Sequence, residues 1–271
     1  RAHLRLEQGQ LDESEAEANA VLERARKSGW TELVGRAAMC LQELSYRRSK
    51  AEPALWALEL AEEAFVELED PEGLGRVLIN RATVLNRLRQ AYDDGEVQLE
   101  RGRDLTELSD NDQGVMRCTY ESCIRALQEN RLDEAKRLAQ EVLELSEDIR
   151  DRGVHCSALN ALGEVERFRG NLEEARDYYV RTYRERRARG ARENEAIALL
   201  NLGTTELELG DHRRAEERFR RLLEELTETG FGAQYLAAHI GLLVCAAAHR
   251  DADRWDRLFD EIEVALERDE F

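Results

Sequence analysis

His155 and Cys156 stand side by side, residue types that serve thiol chemistry when an imidazole deprotonates a neighbouring sulfur. On a helix, adjacent side chains point about 100° apart, so these two cannot engage each other. Both read as core residues, with Cys156 within reach of Cys118 one helical unit earlier. Cys245 and His249 are four apart, with His239 further back, a spacing that offers two or three metal ligands and no fourth. On an alanine-rich helix that makes a poor zinc site, so no metal and no cofactor is expected. Carboxylate pairs such as Glu173-Glu174 and Glu224-Glu225 fall on polar faces and read as solvated surface. No glycine-rich phosphate loop is present; "GLGR" at 73–76 reads as a connector between helices. Trp30, Trp56 and Trp255 read as packing residues. No enzyme signal remains.

The composition narrows the partners. A net charge of −18 disfavours nucleic acid and anionic membrane, both of which need a positive face. The most apolar run, 235–249, is too short to span a bilayer and carries two histidines, which predicts a buried helix. Five scattered cysteines without a CxxC pair suggest reduced core thiols in a cytoplasmic protein. Only Lys27, Lys50 and Lys136 are lysine among the 40 basic residues, a coding bias that points to a GC-rich bacterial genome. The opening "RAHLRLEQGQ" has neither Met nor an apolar leader, which suggests a fragment of a longer chain. With only 2 prolines and few β-branched runs, helix is expected throughout.

The elements that would position any site repeat. Asn130-Arg131-Leu132-Asp133-Glu134-Ala135 aligns with Gly170-Asn171-Leu172-Glu173-Glu174-Ala175 and with Gly210-Asp211-His212-Arg213-Arg214-Ala215. Weaker copies begin at Gln90 and Arg250, and two more, at Gly9 and Lys50, are slipped by about a residue. A fixed period of forty marks an array of two-helix units. In the second helix of each unit one stripe alternates small and large: Ala135, Ala139, Val142; Ala175, Tyr179, Thr182, Tyr183; Ala215, Phe219, Leu222, Leu223. The first helix carries Leu159, Leu162 and Gly163, repeated as Leu199, Leu202 and Gly203. Glycines in "RGN" and "LGD" are expected to close the turns, with Gly153, Gly190 and Gly230 ending second helices likewise. Asp70-Pro71 marks a helix start. Gly95 and Gly102 interrupt one second helix, either softening it or letting two helices touch.

"LNALGEVERFRGNLEEARDYYVRT" and "LLNLGTTELELGDHRRAEERFRRL" resemble the tetratricopeptide repeat in a long, 40-residue form. Similar arrays occur in kinesin light chains, in G-protein-signalling modulators with GoLoco motifs, and beside bacterial kinases and ATPases. The resemblance implies an all-α, right-handed superhelical solenoid of antiparallel helix pairs, one array of about six and a half repeats over residues 1–271.

It also implies a concave groove lined by first helices. Counting in steps of forty from Gly163 assigns to it Ala37, Cys40, Leu44 and Arg47; Val77, Asn80, Val84 and Arg87; Arg117, Tyr120, Ile124 and Leu127. Further along come Ser157, Asn160, Glu164 and Arg167, then Ile197, Leu200, Asn201, Thr204 and Leu207, then Ala237, Ile240, Val244 and Ala247. The peptide-binding residues expected from this list are Arg47, Asn80, Arg87, Arg117, Tyr120, Asn160, Arg167 and Asn201. Guanidinium forks and amides hold carboxylates and peptide backbone. Two readings stand for the arginines: they grip a protein or peptide ligand, an acidic one included, or they pair with neighbouring glutamates on the surface. The function expected is a protein-interaction module within a larger bacterial signalling protein. A peptide-pheromone receptor and a self-assembling scaffold are the alternatives.

Overall fold

The computed structural model describes residues 11–188, 192–226 and 232–267, and these are helical nearly throughout. The contacts group into two compact units, residues 1–125 and 126–271. The first holds α1 (Leu11–Ser28), α2 (Thr31–Arg47), α3 (Ala51–Glu67), α4 (Pro71–Val84) with a π-helical turn Leu85–Arg89, α5 (Tyr92–Leu108) and most of α6 (Asp112–Gln128). The second holds α7 (Leu132–Ile149), α8 (Arg152–Phe168), α9 (Leu172–Ala188), α10 (Arg192–Glu208), α11 (His212–Leu226), α12 (Gly232–Ala248) and α13 (Ala252–Glu267). Most have 17 residues, a rod of about 25 Å.

Five starts have a side-chain cap. Asp70 accepts a hydrogen bond from the Gly73 N–H ahead of Pro71, and Asp151 accepts from Gly153 and Val154. Asn111, Asp211 and Asp251 cap α6, α11 and α13 in the same way. The "GLGR" stretch is therefore the first turns of α4 and not a connector. Among the described residues ten stops fall on a left-handed residue, and glycine is not required for it. Gly29, Gly170 and Gly210 share the role with Ser49, Glu69, Gln90, Asp110, Asn130, Arg150 and Arg250. The residue after the left-handed one donates back to a carbonyl five residues earlier, as Lys50 to Ser45 (2.8 Å) and Asn171 to Glu166 (2.9 Å). Those bonds offset the cost of a Cβ at positive φ. Arg150, not Gly153, closes α7; Gly153 lies inside α8, and Gly190 and Gly230 lie outside the described residues, as do residues 1–10, Gly9 among them.

The left-handed residues recur every 20 positions from Gly29 to Glu69 and from Gln90 to Gly170, but Gln90 follows Glu69 by 21. The π turn absorbs that one residue: Ala91 donates to the Leu85 carbonyl six residues back, at 2.9 Å. This is the slip visible in the repeats at Gly9 and Lys50. It shifts every position before residue 85 by one against a strict count of forty. Ala37, Leu44, Val77 and Val84, expected on the groove, are accordingly core residues with 6% or less exposure.

The cores follow the stripes read from the sequence. Ala135, Ala139, Val142, Ala175, Tyr179, Thr182, Ala215, Phe219 and Leu222 are buried, as are Leu159, Leu162, Leu199 and Leu202 beneath them. Each large side chain so placed stabilises by about 1.5–3 kcal/mol. Small residues permit the approach: a Cβ on Gly102 would meet the Gly75 carbonyl at 3.4 Å, so α4 and α5 touch there. The tryptophans depart from expectation; Trp30 and Trp56 are about half exposed and Trp255 is 37% exposed. Helix α12 buries one face only, with Ile240 and Val244 exposed on the other. No helix among the described residues is long and apolar enough to cross a membrane.

Candidate ligand-binding recess

Three of the sequence-predicted residues, Arg47, Asn80 and Arg117, line one recess of about 670 Å³ in the first unit. Helices α2, α4 and α6 carry them, and a hydrogen-bonded chain ties Asn80 and Arg117 to Gln42 of α2. Asn80 Nδ2 donates to Gln42 Oε1 at 2.6 Å, and Arg117 Nη2 donates to Asn80 Oδ1 at 2.6 Å. Gln42 and Asn80 are buried, so each amide is fixed by the next, and their joint loss of mobility aims the Arg117 guanidinium. Arg36, Glu43 and Arg76 complete the wall, with Glu32 and Asp70 beside them. Arg36, Glu43 and Arg76 each sit one position before the buried residue that the strict count of forty selects. The π turn hides them from that count, and the left-handed residues that expose the slip carry no common residue type. The recess thus presents four guanidiniums, three carboxylates and amides over an apolar floor that includes Phe65 and Met39.

Arg47 and the expected residues outside the recess are held by partners of their own. Arg47 pairs with Glu43 at 2.9 Å, one turn away. Arg87 lies on the π turn and donates to Glu121 at 3.2 Å. Burial works against the Arg87 charge, yet Glu121, Tyr46 and Tyr120 outweigh it and hold the guanidinium protonated well above the ordinary arginine value. In the second unit Arg167 bridges Glu164 and Glu208, both at 3.0 Å, while Tyr179 donates to the other Glu164 oxygen at 2.8 Å. Asn201 Nδ2 donates to Asn160 Oδ1 at 3.0 Å. Tyr120 is half-buried on α6. Arginine pairing with glutamate is therefore the resting arrangement at Arg47, Arg87 and Arg167.

The residues singled out for chemistry have structural roles. His155 Nδ1 lies 3.1 Å from Ser146 Oγ, while its Nε2 and the Cys156 thiol both face Glu185 Oε2, at 3.7 and 3.9 Å, so each is engaged by Glu185 and not by the other. Burial pushes the Cys118 and Cys245 thiols up to about 11 and Cys123 to about 12, which keeps them protonated and unreactive at neutral pH. His239 is engaged by the Tyr235 carbonyl (3.0 Å) and Glu261 (3.2 Å). Among the described residues no three His, Cys, Asp or Glu side chains gather as a metal site would require.

With this geometry in hand, comparison with known proteins adds the following. Residues 154–226 match the family model described as tetratricopeptide repeat. None of the curated proteins compared with the chain matches it. Among solved structures, a Rap protein complexed with competence and sporulation factor superposes with a TM-score of 0.70 at 15% identity, over 86% of this chain and 65% of that one. A signal-transduction ATPase with numerous domains and a tetratricopeptide repeat sensor, from Pyrococcus horikoshii, gives 0.69 at 16% identity, over 89% and 38%. NprR in complex with its cognate peptide NprX gives 0.61 at 15% identity, over 97% and 79%. The chain thus spans less than two thirds of the Rap protein and well under half of the ATPase. The fold is that of a tetratricopeptide repeat array, with helices and turns and no strand among the described residues.

Proposed function

We propose that this array is a non-catalytic protein-interaction module, and that the recess formed by α2, α4 and α6 holds a peptide segment of a partner. The observation that carries the reading is the recess itself. Its volume of about 670 Å³ suits a few residues of extended peptide, and its mixed wall offers guanidiniums for carboxylates and amides for backbone. Arginine outnumbers carboxylate in the lining of a chain whose net charge is −18, which favours an acidic segment. The same net charge argues against nucleic acid as the partner. The role as an arm of a larger signalling protein rests on fold-level analogy.

Affinity capture with two baits tests it. One bait is the protein as it stands; the other carries Arg36→Glu and Arg76→Glu, both exposed on the recess wall. A peptide or protein retained by the first and lost by the second is the expected result. Equal retention by two baits of equal helicity overturns the assignment of the recess. Arg87 and Arg167 are unsuitable for this purpose, because each holds an internal ion pair.

A second reading, a receptor for one short cognate peptide, draws on the likeness to NprR bound to NprX. It requires tight binding of a single peptide together with a fall in the radius of gyration, which small-angle scattering measures.

A further inference from the structure

The second unit holds a second recess, of about 530 Å³, whose lining has the opposite character. Arg184 and Arg187 from the last turns of α9 and Arg218 from α11 converge on it. Val180, Tyr183 and Leu202 supply an apolar floor, and no carboxylate lines it. That is unusual in a chain with 58 acidic and 40 basic residues. Surface arginines elsewhere sit beside a glutamate one turn away, as Arg137 beside Glu141 and Arg213 beside Glu217.

The counter-charge is incomplete. Among the described residues neither Arg184 nor Arg187 forms an ion pair; Arg187 only approaches the Tyr183 hydroxyl at 3.5 Å. Glu195 feels the Arg187 charge, but it also answers to Arg221 and lies beside Glu225. Arg218 is held by Glu206: Nη2 donates to Oε1 at 3.5 Å, while Nε and Oε2, 3.4 Å apart, are buried without a hydrogen bond. One carboxylate for three guanidiniums leaves about two positive charges facing an apolar floor. Leaving them adjacent and unpaired costs stability through mutual repulsion, a cost that a dianionic guest relieves.

We propose that this recess is an anion site for a phosphate monoester carried on an apolar or aromatic stem. Such a group is close to doubly charged at neutral pH and presents three acceptor oxygens to guanidinium forks. The stem packs on Val180, Tyr183 and Leu202 while the phosphate meets Arg184 and Arg187, with the Glu206-paired Arg218 behind them. A single carboxylate matches neither the charge nor the number of donors. The site is separate from the peptide recess of the first unit and stands or falls independently of it.

Titration calorimetry with phenyl phosphate in physiological salt tests the proposal, with benzoate as the singly charged control. Phenyl phosphate is expected to bind at least tenfold tighter than benzoate. The Arg184→Gln/Arg187→Gln variant is expected to lose at least tenfold in affinity while keeping or raising its melting temperature, because both side chains are exposed and their repulsion is removed. A phosphotyrosyl pentapeptide then separates sources: tighter binding than phenyl phosphate points to a phosphorylated side chain, equal binding to a free ester. Absence of phenyl phosphate binding, equal binding of benzoate, or unchanged affinity in the variant overturns it.

Discussion

Gly163 on α8 lies under the ring of Tyr179 on α9, so close that a methyl group there would sit 2.6 Å from Tyr179 Cε1. Forty residues on, Gly203 stands to Phe219 at the same 2.6 Å, and Gly241 closes the other side of that ring at 2.4 Å. The rings are fully buried and have nowhere to move. Alanine in place of Gly163 gains up to ~1 kcal/mol of helix propensity but overpacks the core by about 1–3 kcal/mol. Gly163→Ala is therefore expected to lower the melting temperature by several degrees, and Tyr179→Leu in the same chain to recover part of the loss. Thermal melts of the single and double variants check this.

Arg87 and Glu121 form a pair in which the carboxylate is mostly buried, at 8% exposure for the residue. Arg87→Met strands that charge and is expected to cost about 3–5 kcal/mol. Replacing both, as Arg87→Met/Glu121→Leu, removes the stranded charge and is expected to restore most of it. Urea unfolding of the three chains measures the difference; equal stability of single and double variants would contradict the pairing.

Glu166 and Glu206 occupy the same place in successive repeats and are both buried, yet titrate in opposite directions. Burial raises both. At Glu166 the hydrogen bonds from Asn171 and Lys136 (2.7 Å each) and the charge of Arg169 overcome it and hold the carboxyl below its ordinary range. At Glu206 Arg218 does not, and the carboxyl stays raised. The stability that Glu166 supplies is complete above the unfolded glutamate value, about pH 4.3, and drains away as pH falls through its lower folded value. Ionised Glu206 costs stability at neutral pH, and that cost fades as pH falls through its raised folded value. Glu166→Gln is thus expected to lose about 2 kcal/mol at pH 7 and far less at pH 3. Glu206→Gln is expected to be neutral or stabilising at pH 7. Unfolding curves across that pH range decide it.

On the π turn, Asn86 is buried with Oδ1 unpaired, and it fills the space above Gly95 of α5, where a Cβ would meet that oxygen at 1.9 Å. Gly95→Ala alone is expected to destabilise, because the Asn86 amide must leave its seat. Gly95→Ala with Asn86→Ala is expected to be more stable than the sum of the two changes. A double-mutant cycle with a coupling below about 0.5 kcal/mol would exclude the contact.

Much of this architecture is legible in the residues alone. The stripe of Ala175, Tyr179 and Thr182 fixes which face of α9 is buried, because offsets of four and seven bring side chains to one side of a helix whatever packs there. Asp70 and Asp151 announce helix starts because capping is a matter of three adjacent residues. Such features depend on neighbours in sequence, and a period of forty then copies them along the chain.

What depends on distant segments was decided only in three dimensions. Lys136 reaches Glu166, but Arg176, one period on, pairs with Glu173 and leaves Glu206 to Arg218. Identical positions thus acquire opposite electrostatics through the choice of side-chain direction. The residue inserted before Gln90 left the local pattern of α4 intact and declared itself only as a slipped register. Gly95, by lacking a Cβ, makes room for Asn86 of the π turn that takes it up. Local periodicity set the helices and their buried faces. Long-range packing set which charges meet, because Coulomb and hydrogen-bond partners are chosen by distance in space and not along the chain.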